Sequence, residues 1–183
     1  MRQVPNLCVM GGDAHAIVRS HLKPSSVSHA FINFPEPPSG YLGVESASNE
    51  LHLLTPAFFT ALHHVLRRDG RLTILSDNGR YCRSLCATLG QLREHGSPGR
   101  EPREGARLFA CEDLRGASGE GEGEGEGAGP PSYELVSGVR LYHGTPGSEC
   151  GHTVSASSYF DRLWEYRQGE ATERFFLALR RAT

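Results

Sequence analysis

The sequence predicts an α/β domain. Short apolar runs of strand length alternate with amphipathic stretches of helical period, which is the pattern of parallel strands joined by right-handed crossovers. Two of those runs are nearly continuous in apolar residues, as strands covered on both faces are. The 183 residues suffice for one domain and an appendage, and Gly (22) and Pro (11) together mark part of the chain as unpacked.

Leu7-Cys8-Val9-Met10 is the first apolar run, and Gly11-Gly12 stops it. Asp13 then caps a predicted helix whose stripe is Ala14, Ile17, Val18 and Leu22, with Pro24 ending it. Val27 to Phe34 reads as a buried strand, stopped by Pro35, Pro37 and Pro38. Ser39 to Leu53 has no period and is expected to be a loop. Thr55-Pro56 starts the next helix, a capping hydroxyl before Pro at the first helical position. Phe58, Phe59, Leu62, Val65 and Leu66 form its stripe, and Arg67-Arg68-Asp69-Gly70 closes it. Leu72 to Leu75 is a second short strand. A helix through Tyr81, Leu85, Leu89 and Leu92 follows Ser76-Asp77-Asn78-Gly79.

The composition then shifts. His95 to Ser132 holds ten Gly and four Pro in 38 residues, with four Arg against eight acids. Such a stretch buries too little apolar area to offset its ordering entropy, so it reads as a flexible Gly/Glu-rich insertion. Order resumes with an expected strand over Tyr133–Tyr142, a helix around Tyr159–Tyr166 and a closing strand over Phe175–Leu179. The domain reading is 1–94, the insertion 95–132, and 133–183 completing the first part.

Charge and cysteines bound the function. The net charge of −2 excludes a uniformly basic nucleic-acid binder, but removing the acidic insertion leaves about +2, room for a basic patch. No apolar run reaches the roughly 18 residues of a membrane span. Five irregularly spaced cysteines imply free thiols in a reducing compartment, the cytoplasm or nucleus. Cys82 and Cys86, or Cys150 with His152, have ligand chemistry, yet no second matched pair completes a zinc site, so no metal is expected.

Ligands of α/β sheets collect at the carboxyl ends of parallel strands. Gly12-Asp13-Ala14, Asn33 through Pro38, and Ser76-Asp77 all fall there, which gathers Asp13, Asn33, Glu36 and Asp77 at one rim. Asp13 and Asp77 have an ordinary alternative as helix caps, and Glu36 as a solvated loop residue.

Several segments resemble the tRNA (guanine-N7)-methyltransferases. These are Asn6-Leu7 to Asp13-Ala14, the strand into Asn33-Phe34-Pro35-Glu36-Pro37, Leu54-Thr55-Pro56-Ala57-Phe58-Phe59, Leu66 to Leu72, and Ser76-Asp77 with Tyr81. Ser157-Ser158-Tyr159-Phe160-Asp161 and Gly169 are similar to the family's Thr-x-Phe/Tyr-Glu segment. The resemblance spans roughly 6–92 and 155–180. It implies a Rossmann-like class I fold and methyl transfer from S-adenosylmethionine (SAM) to guanine N7 in tRNA. On this resemblance Asp13, Ala14 and Asn33 bind SAM, and Glu36 stands at the family's catalytic Asp. Asp77, Ser158 and Asp161 hold the guanine and nearby tRNA, with Ser157 an alternative to Ser158.

The sequence also departs from the family. Pro38 replaces its Trp, and Ser39 to Glu45 replaces its basic loop. The first two strand–helix units, with the Gly-rich turn, have no counterpart before the Leu7 run. The chain therefore reads as the carboxyl-terminal half of a methyltransferase. A non-catalytic relative that binds tRNA or a partner is the alternative, and a second subunit supplying the missing strands is a further expectation. The amino-methyltransferases acting on adenine or glutamine rank lower, because Glu36-Pro37-Pro38-Ser39 lacks their stacking aromatic.

Overall fold

The computed structural model of the chain describes residues 6–38, 52–93, 107–114, 131–147, 150 and 173–182. In chain order the elements are α1 (Ala14–Ser20), β1 (Val27–Asn33), α2 (Pro56–Val65), β2 (Leu66–Ser76), α3 (Gly79–Gln91), β3 (Phe109–Cys111), β4 (Tyr133–Val136), β5 (Val139–His143) and β6 (Phe175–Arg181). The six strands form one sheet in the order β1-β2-β6-β5-β4, and β3 also pairs β6. Only β1 and β2 are parallel. Every other pairing is antiparallel, so the sheet is mixed and mostly antiparallel rather than the parallel sheet the alternation predicts.

Local chemistry accounts for the helices. Asp13 caps α1, with its Oδ1 accepting from the His15 and Ala16 amides. Thr55 caps α2 ahead of Pro56, and Asn78 caps α3. All three helices pack on one face of the sheet, where Val18, Phe58, Phe59, Leu62, Leu85 and Leu89 meet Leu72, Ile74, Leu177 and Leu179. Leu75, Tyr142, Phe176 and Ala178 form a smaller cluster. Their alternation with Ile74, Leu177 and Leu179 puts them on the other face. β6 reads as a continuous apolar run because both its faces are covered.

Four expectations change. Leu7–Met10 is not a strand: Leu7, Val9 and Met10 are 69%, 86% and 46% exposed and pair with nothing in the sheet. An apolar run becomes a strand only where another strand supplies its hydrogen bonds. β1 is half-buried rather than covered on both faces: Ala30 and Ile32 pack toward the helices, while Phe31 and Asn33 are exposed. Tyr133–His143 is a hairpin rather than one strand, since Ser137 (φ +51°) and Gly138 (φ +74°) make the two-residue turn that reverses it. Within the segment 95–132, Phe109–Cys111 pair with β6, so that segment is not an insertion along its whole length. The loop 39–51 and the helix expected over Tyr159–Tyr166 lie outside the described residues.

The start of β2 carries a protrusion. Val27 pairs Leu66 and His29 pairs Arg71, so Ser28 faces four residues, Arg67 to Gly70. The extra residues turn tightly, with Asp69 at φ +59°. A Cβ on Gly70 would come within 2.8 Å of the Arg67 carbonyl oxygen, so only glycine fits there.

Gly90 fixes how α3 lies against the hairpin. A Cβ there would sit 2.4 Å from the Ser137 carbonyl oxygen, which is backbone and cannot swing aside. Alanine within a helix ordinarily gains about 1 kcal/mol over glycine. Gly90→Ala is nonetheless expected to cost about 1–3 kcal/mol by overpacking, read as a lowered midpoint in urea denaturation.

Candidate active-site rim

The β1–α2–β2 unit brings two strand ends together. The Phe34 amide donates to the Leu75 carbonyl at 2.7 Å, beyond the last paired residues Asn33 and Leu75. Asn33 is exposed, Phe34 has φ +48°, and the chain leaves the sheet through Pro35, Glu36 and Pro37. The left-handed Phe34 turns the strand sharply, and the flanking prolines limit the path of Glu36. Glu36 is exposed. Asp77 follows β2 directly and is half-buried.

Asp13, at the start of α1, lies at this same end because α1 leads back down to the beginning of β1. Its carboxylate is half committed: Oδ1 caps the helix, while Oδ2 has no hydrogen-bond partner among the described residues. Ala14 is the first residue of α1 and half-buried. For Asp77 the cap alternative fails, since the Asn78 side chain accepts from the Tyr81 amide at 2.9 Å and is the cap. Four of the predicted polar residues, Asp13, Asn33, Glu36 and Asp77, thus share one end of one βαβ unit. Ser158 and Asp161, with Ser157, lie outside the described residues.

Two further residues reach this end. His52 Nε2 and the Tyr81 hydroxyl are 2.7 Å apart, and their rings meet edge to face. Tyr81 is buried in the first turn of α3, whereas His52 comes from a stretch without periodicity and gave no signal in the sequence. Burial holds the His52 imidazole below its ordinary pKa, which favours the neutral ring. Beneath the rim, burial pushes the Cys82 thiol up to about 12, and Cys86 likewise. Both remain thiols at neutral pH. Among the described residues no cluster of His, Cys, Asp or Glu has the geometry to hold a metal ion. No helix among them is long and apolar enough to cross a membrane.

A family model described as "Putative methyltransferase" matches residues 1–98, and it represents the tRNA guanine-N7 methyltransferases. The match takes in more than half of the chain and every described rim residue, and the protein belongs to this family. No curated protein matches the chain. The family's activity is methyl transfer, with SAM as the donor it implies.

His52 gives the rim a pH signature. Its folded-state pKa lies below the unfolded value of 6.5, so the unfolded chain takes up the proton first. The stability it contributes is full above pH 6.5 and falls as the pH drops below that value. Urea midpoints measured between pH 7.5 and 5 are expected to decline less steeply in His52→Gln than in the unsubstituted protein.

Proposed function

We propose that this protein is a SAM-dependent methyltransferase acting on guanine N7 of tRNA, with Glu36 as the carboxylate at the reacting base. The observation that carries this reading is the placement of Glu36. It stands exposed beyond β1, between two prolines, on the same sheet end as Asp77 and within the segment the family model matches. We read the β1–α2–β2 unit as part of a Rossmann-like methyltransferase fold.

Guanine N7 already has a lone pair, so the reaction needs no strong base. A carboxylate at Glu36 accepts from the N–H groups of the guanine edge and offsets the positive charge that grows as the methyl arrives. Asp77 orients the same base from the neighbouring strand end. Holding donor and acceptor in line supplies most of the rate. Ser158 and Asp161 are proposed to hold nearby tRNA.

The described residues fit one end of SAM. The unpaired Oδ2 of Asp13 suits the adenine amino group, with Ala14 beside it and Asn33 at the adjoining strand end. The methionine end is not matched: among the described residues no Gly-x-Gly turn leads from a strand into a helix, and Leu7–Met10 stands outside the sheet. When bound, SAM supplies the electrophilic methyl group. That mismatch favours a second reading, a non-catalytic relative that binds tRNA or a partner subunit and has lost SAM. It also favours a second protein that completes the SAM site.

Methylation of unmodified tRNA by the protein as its cells make it, with labelled SAM, decides between these. Glu36→Ala is expected to lower turnover at least about 100-fold with an unchanged melting temperature. Unchanged turnover removes Glu36 from the site. Absence of both turnover and any thermal shift with millimolar SAM establishes the non-catalytic reading instead.

A further inference from the structure

The end of the sheet opposite the rim gathers a cluster of basic side chains. The turn Lys23–Ser26 lies along the end of α2, with the Ser25 amide donating to His64 O and the Ser26 amide to Val65 O. Arg181 ties the same corner, donating to Ser25 Oγ and the Leu66 carbonyl. The protruding Arg67–Gly70 follows directly. Arg71 and Arg180 face each other across β2 and β6, and both reach Glu112, at 3.0 and 2.6 Å.

Lys23, Arg67, Arg68, Arg71, Arg180 and Arg181 thus stand against Asp69 and Glu112, a local charge of +4 in a chain of −2. Glu112 is spent, being 5% exposed beneath the two arginines it neutralises. The Lys23, Arg67 and Arg68 side chains are exposed and, among the described residues, carry neither hydrogen bond nor ion pair. Free arginines on a protrusion that Gly70 holds tightly against the Arg67 backbone are pre-organised for an anionic partner.

We propose that this end of the sheet, centred on Arg67 and Arg68, is a phosphate-backbone contact surface for RNA. The inference rests on the tRNA reading above and gives that substrate a second point of attachment. β1 is seven residues long, so the surface and the rim stand about 23 Å apart at 3.3 Å per residue. RNA duplex readers span about 16 base pairs, which is longer than that. Cations that neutralise phosphates release condensed counterions, and the salt dependence of binding counts them.

The test is a fluorescence-anisotropy titration of an unmodified tRNA transcript with the full chain, without SAM, from 50 to 200 mM salt. In R67E/R68E both replaced side chains are exposed and, among the described residues, make no hydrogen bond or ion pair, so the melting temperature is expected to stay unchanged. Affinity is expected to fall about tenfold or more, and the salt slope to become shallower by about 1.4, roughly 0.7 for each lost contact. Asp69→Asn removes the one unspent acid of the patch and is expected to tighten binding, a gain that damage to the fold does not produce. Equal affinity and slope in R67E/R68E overturn the proposal. So does a protein that ignores tRNA but binds a poly-glutamate peptide through the same arginines, since the partner is then an acidic protein. The titration reads no methyl transfer, so loss of the catalytic reading leaves its outcome intact. Methylation that persists beside an unchanged titration overturns the surface alone.

Discussion

The pairing of β2 on both its edges is the constraint from which the described structure follows. On one side it runs parallel to β1, which forces a crossover and places α2 on the sheet. On the other it runs antiparallel to β6. That strand in turn collects β5 at one end and β3 at the other. Leu72 and Ile74 point to the helices, while Thr73 and Leu75 point to the second face, so one strand fixes both halves of the core. Thr73, buried among apolar neighbours, finds its partner in His29 at 2.9 Å on the adjoining strand. The polar group is satisfied across the same β1–β2 pairing that aligns the rim.

Charged side chains at the two sheet ends have different tasks. At the rim, Asp77 and Glu36 are left without a local structural task, because Asn78 performs the capping and the prolines leave Glu36 outside the sheet. At the far end, Glu112 sits buried between two half-exposed arginines from different strands. A buried carboxylate is tolerable only when paired, and Arg71 and Arg180 are held opposite each other by the β2–β6 register. The interaction that binds β3's exit to the sheet is therefore the one that leaves Arg67 and Arg68 as the uncompensated charge there.

Much of the local structure was legible because it depends on near neighbours in sequence. Asp13, Thr55-Pro56 and the turn before Tyr81 announced three helices, and each begins where its cap lies. The proline-bounded end of β1 and the acid after β2 announced the rim, and parallel pairing brings those two ends together. Other features were hidden for identifiable reasons. Leu108 to Cys111 is only four apolar residues, and the surrounding Gly, Pro and Glu masked a strand that β6 stabilises from 68 residues away. Ser137-Gly138 is a hairpin signal of the weaker kind, passed over inside an apolar run. His52 had no pattern at all, since its place is set by contact with Tyr81.

What the sequence determined alone, then, was the start of each described helix, the apolar runs of β1, β2 and β6, and the family to which the rim residues belong. Caps, prolines and apolar periods act within a turn or two and need no distant partner. The tertiary structure decided which runs become strands, and in what direction. Leu7–Met10 is as apolar as Leu72–Leu75, yet it lies exposed while the other lies at the centre of the sheet. A strand's hydrogen bonds are supplied by another part of the chain, so its existence is settled by pairing and not by its own composition.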